Sequence, residues 1–170
     1  LSSLWEWPEF TLEQIAQADQ DAVRRYAEEG YSARPLLMLR SDERLYRGLL
    51  VEATELMDRA LSLPRDGQSD CQACEPTFTA DLANAHGDWQ GALDASAPVL
   101  EDGQTCSGQP ESTHARILEA LCELGRVEEA VEYHRQSFAR TLDDSNATGL
   151  VSLHIKFLAR TENHGRAVEA

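Results

Sequence analysis

A short pattern returns four times along this chain at nearly constant intervals, and it limits the available folds more than any other feature. A glycine or its replacement is followed five residues later by an alanine, within a stretch whose apolar residues keep helical spacing. The copies are Gly48 with Ala53, Gly87 with Ala92, Gly125 with Ala130 and Glu162 with Ala167. Their leading positions lie 39, 38 and 37 residues apart. A period of that length, helical on both sides of the glycine, belongs to stacked helix-turn-helix units. One such unit cannot bury its apolar face alone, so neighbours must stack. The expected fold is all-α, a solenoid of antiparallel helix pairs repeating about every 37–39 residues.

Each part of the pattern has a physical reason. A tight corner between two helices needs a residue that tolerates positive φ, which glycine does without steric cost. The alanine five positions on sits where the second helix crosses the first, and its small side chain permits close approach. In the fourth copy Glu162 takes the corner, followed by Asn163, the next residue type suited to it. The pairs fall at about residues 33–63, 76–100, 111–142 and 147–170 of one repeat domain, 1–170. An earlier helix starts at Thr11, a natural N-cap, and ends at Gly30. Trp5 and Trp7 read as a docking segment for it, or as the tail of an upstream repeat. Polar loops at Pro64–Asp70, Glu101–Pro110 and Asp143–Asn146 separate the pairs. Val127, Ala130, Val131, His134 and Phe138 form one helical stripe, and no stretch alternates with period two. The missing initial methionine and the stop just after Ala167 predict a piece of a longer protein.

Charge narrows the function classes. Thirty acidic residues against 15 basic give a formal net charge of −15. Such a surface repels nucleic-acid phosphates and anionic membranes, so neither is an expected partner. No run reaches the roughly 18 apolar residues of a membrane span, and the start lacks a signal-peptide pattern. The expected location is cytoplasmic. No nucleophile elbow, Walker loop, dinucleotide fingerprint or H-E-x-x-H spacing is present, so no enzyme is expected.

Three cysteines carry the chemistry that the repeat does not explain. Cys71 and Cys74 form a C-x-x-C in the loop before the second pair, and Cys106 lies in the corresponding loop before the third. Successive inter-pair loops of a solenoid share one edge. Advancing Cys74 by 38 residues lands on Ser112, between Glu111 and His114. Cys71, Cys74 and Cys106 with His114, or with Glu111 as the alternative fourth donor, would compose a structural zinc set. A disulfide within the trio and unlinked thiols remain the competing readings. Cys122, among Ile117, Leu118 and Leu121, reads as a small core residue.

Leu124-Gly-Arg-Val-Glu-Glu-Ala130 resembles the opening of the second helix in a tetratricopeptide repeat, and the resemblance covers about residues 34–170. Ser69-Asp-Cys-Gln-Ala-Cys-Glu75, Ala97-Pro-Val-Leu100, Cys106 with Gln109-Pro110, and Leu124-Gly-Arg126 are more narrowly similar to a group of bacterial, actinobacterial-type repeat proteins without an established activity. The group usually has a histidine after the Gln-Pro pair, where this chain has Glu111. The tetratricopeptide resemblance implies that the first helix of each pair lines a concave groove. That places Met38, Asp42, Leu45, Asp81, Asn84, Glu119, Lys156 and Arg160 on it. The implied function is a protein-interaction scaffold binding a peptide or protein of mixed charge. The alternatives are an acidic sequestering or immunity-type protein, or the regulatory arm of an enzyme whose catalytic part lies elsewhere.

Overall fold

A computed structural model describes Leu4, residues 9–144 and residues 147–169. Trp5, Trp7, Ser145 and Asn146 lie outside the described residues. All regular structure among the described residues is helical. The chain divides into two compact units, Leu1–Asp70 and Cys71–Ala170, where the sequence predicts one repeat domain.

The first unit holds α1 (Leu12–Glu29), α2 (Arg34–Tyr46) and α3 (Leu50–Leu61). A reciprocal capping box opens α1: Gln14 N–H donates to Thr11 Oγ1 at 3.2 Å, and Thr11 N–H to Gln14 Oε1 at 2.8 Å. Gly30, at φ 74°, closes it. Helix α2 turns back on α3, with Leu36, Leu37, Met38, Ala53, Met57 and Ala60 buried in this unit. The Ser41 hydroxyl donates to the Ala53 carbonyl at 2.8 Å and joins the two helices where alanine lets them touch.

The second unit holds α4 (Glu75–His86), α5 (Trp89–Leu100), α6 (Glu111–Glu123), α7 (Val127–Asp143), α8 (Thr148–Arg160) and α9 (His164–Glu169). Consecutive partners pack as α4 on α5, α6 on α7 and α8 on α9. The first helices of these pairs also touch in series, α4 on α6 and α6 on α8. The core gathers around α6, where Ile117, Leu118, Ala120 and Leu121 meet Ala92, Leu93, Ala130 and Phe157.

All four corners close with one hydrogen-bond pattern. The corner N–H bonds the carbonyl three residues back and the next N–H bonds the carbonyl five back. At Gly125 these are Gly125 N to Cys122 O at 3.1 Å and Arg126 N to Leu121 O at 2.8 Å. The same pairings recur at Gly48, Gly87 and Glu162. Gly125 sits at φ 72° with open space where a Cβ would go, so backbone conformation and not crowding requires glycine there. Glu162 adopts φ 62° itself and does not leave the left-handed position to Asn163. That conformation costs a non-glycine residue about 1 kcal/mol or more. The strained corner belongs to the thinnest pair: α9 has no buried residue and Ala167 is half-exposed, whereas Ala53, Ala92 and Ala130 are fully buried.

A three-thiol cluster and an ion-paired cleft as candidate functional sites

Cys71, Cys74 and Cys106 converge: their sulfur atoms lie within 4.8 Å of one another. Local backbone sets this up. Cys71-Gln-Ala-Cys74 forms a turn running into α4, with Cys74 at its N-cap and both Cys74 N–H and Glu75 N–H bonded to Cys71 O at 3.0 Å. Within the turn Cys74 N–H also donates to Cys71 Sγ at 3.3 Å. A second turn, closed by Gln109 N–H on Cys106 O at 3.2 Å, brings Cys106 to within 3.1 Å of Cys74, sulfur to sulfur. Burial pushes the Cys74 thiol well up. The Cys106 thiol is held low by the Cys74 hydrogen bond and, after it, by the Gly108 and Gln109 N–H groups. Thiolate is the form that binds metal. Three sulfurs at this spacing suit a soft or borderline cation such as zinc, around which tetrahedral thiolates sit about 3.8 Å apart.

The expected fourth donors stand elsewhere. His114 is 7% exposed on α6, with its ring packed on Tyr133 at a centroid distance of 4.7 Å, and it does not join the thiol cluster. Burial lowers its basicity despite nearby Glu111. Glu111 itself pairs with Arg140 of α7 at 2.8 Å. The repeat shift lands at the start of α6, and neither acid nor imidazole there brings a ligand atom to the thiols.

Five of the eight groove positions share one cleft. Asp81, Asn84, Glu119, Lys156 and Arg160 line a cavity of about 120 Å³ between α4, α6 and α8, with Arg116 among them. Salt bridges run across it from helix to helix: Asp81 to Arg116 at 2.8 Å, Glu119 to Lys156 at 2.6 Å and Glu123 to Arg160 at 2.7 Å. Asn84 Nδ2 donates to the Arg116 carbonyl at 3.0 Å, while its Oδ1 is buried without a partner. Cys122, expected in the core, is half-buried and lines this cleft, although its other side meets the core around α6. Met38 is corrected outright: at 1% exposure it is a core residue of the first unit. Asp42 and Leu45 are half-buried on α2 of that unit.

Two features escape the sequence reading. One is a cavity of about 230 Å³ in the first unit, where Leu12, Ile15 and Ala16 of α1 face Leu36 and Leu39 of α2 beside the Asp19–Arg40 ion pair. The other is a buried histidine pair. His134 Nδ1 and His154 Nδ1 lie 2.9 Å apart, one donating and the other accepting, with Phe138 and Phe157 packed around them. His154 is fully buried, and burial first, then His134 and His114, pushes its pKa down to about 4. His134 on the α7 stripe was the available signal, but helical spacing does not say which residue faces it across helices.

No helix among the described residues is long and apolar enough to cross a membrane. Comparisons with protein-family models, curated proteins and solved structures find no match for this chain.

Proposed function

We propose that this chain is a cytoplasmic protein-interaction scaffold and not an enzyme, its helix pairs stacking as a tetratricopeptide-like solenoid whose α4–α6–α8 face receives a peptide or protein. The observation that supports this most is the cleft itself. Ion pairs join α6 to α4 and to α8 across it, and each of these salt bridges is partly exposed. Partly exposed pairs contribute little to folding, so a partner of mixed charge can exchange with them at small cost.

The thiol trio completes the reading as a structural zinc site that ties the start of α4 to the loop after α5. In a repeat array, losing such a tie loosens its own edge and not the whole stack.

Peptides selected from a random display library against the intact protein test the groove. Binders should carry both charge signs, and Asp81→Ala with Asn84→Ala should weaken them at least about tenfold, the effect of losing one or two hydrogen bonds. Binding that survives the double substitution removes the cleft assignment. Binding by basic peptides alone, collapsing at high salt, would support acidic sequestration instead, consistent with the net charge of −15.

A further inference from the structure

Zinc completes a tetrahedron, and the trio supplies three corners. The side chains that the repeat spacing brings forward for the fourth are engaged elsewhere. His114 is buried against Tyr133. Glu111 is paired with Arg140. Gln109 turns its Oε1 to the Thr113 N–H at 3.1 Å. Among the described residues no further histidine, cysteine, aspartate or glutamate brings a ligand atom into the cluster. Cys71 is exposed, and Cys74 and Cys106 are half-buried, so solvent reaches the site. A zinc site with three protein ligands keeps an exchangeable fourth position, unlike a closed structural site.

We propose that the Cys71–Cys74–Cys106 site holds its metal with one open coordination position, and that an imidazole from an incoming protein fills it. The inference rests on the zinc reading above. Charge selects the occupant. Three thiolates on a divalent cation leave a net charge of −1, on a chain whose net charge is −15. A further anion, such as carboxylate or phosphate, meets repulsion there. Neutral imidazole does not, and it is a good donor for zinc. The step is simple exchange: one metal-bound water leaves as the imidazole nitrogen binds, with no change in oxidation state.

Cobalt(II) makes the site visible. The full chain loaded with cobalt under reducing conditions should show thiolate-to-metal charge-transfer bands and tetrahedral d–d bands. Free imidazole should shift the d–d bands saturably, whereas acetate and phosphate should not. The shift should persist in His114→Ala and Glu111→Gln with half-saturation changed by no more than about twofold, as for sites that do not interact. No shift with imidazole, together with an altered starting spectrum in either variant, overturns the open position while leaving the metal in place. A shift by acetate or phosphate as large as that by imidazole overturns the selection of a neutral donor. Absence of any thiolate band removes the metal site, and the open position with it.

Discussion

Three helix pairs, one in the first unit and two in the second, are each closed at their open end by a different chemistry. In the first pair Arg34, at the start of α2, donates through Nη1 to the carbonyls of Ala60, Leu61 and Leu63 at the end of α3, at 3.2, 3.2 and 2.8 Å. In the second, Cys74 at the start of α4 meets Cys106 in the loop after α5. In the third, Glu111 at the start of α6 pairs with Arg140 in the last turn of α7. Each pair faces the same problem of holding its helix ends together, and each meets it differently. The buried arginine neutralises carbonyls that the end of α3 leaves over. The ion pair does little, because Arg140 is 71% exposed.

The arginine tie should be the most costly to cut. Arg34→Met leaves several carbonyls at the end of α3 without their charged donor, and we expect a loss of about 3–5 kcal/mol. Hydrogen exchange read by mass spectrometry should then speed up by roughly a hundredfold to a few thousandfold across α2 and α3. An unchanged rate would show that the apolar contacts of this pair suffice and that its tie resembles the third pair's.

Acid separates the two units. All five histidines lie in the second unit. His154 falls from an ordinary 6.5 to about 4 in the fold, and burial also lowers His134 and His114. The unfolded chain therefore binds more protons between those values, so stability is complete above pH 6.5 and falls as pH drops toward 4. For His154 alone the loss reaches about 3 kcal/mol by pH 4. Exchange across α7 and α8 should accelerate over this window, and His154→Leu should remove much of the dependence. The arginine-tied first unit should stay unchanged down to about pH 5, above the carboxylate range. Equal loosening of both units would break the comparison.

The smallest effect belongs to the third tie. Glu111→Gln should lower stability by less than about 1 kcal/mol in thermal unfolding, because its partner is mostly in solvent. A loss of several kcal/mol would place this ion pair in the same class as Arg34.

The corners and helix ends were legible because they are local. The start of α1 at Thr11 and the turns at Gly48, Gly87 and Gly125 depend on a few adjacent residues and on one backbone conformation. The thiol cluster was partly legible for the same reason: two of its members share a turn, and the repeat period brings the third. His114 was misjudged as a ligand, and the His134–His154 pair was missed, because both depend on how one helix is rotated against another. Met38 was misplaced by the same uncertainty, since a helix face assigned by analogy can be wrong by one residue's rotation of about 100°.

The sequence by itself determined that this chain is helical, where its helices break and which small residues lie at the crossings. Those features follow from φ, from the 3.6-residue turn and from side-chain volume, which each segment carries with it. Only the tertiary structure decided that Arg34 ends on carbonyls, that Glu111 meets Arg140 and not the thiols, and that Asp81, Glu119 and Lys156 share a cleft. Such partnerships depend on the stagger and rotation of packed helices, which are set by the core as a whole and are written in no single segment.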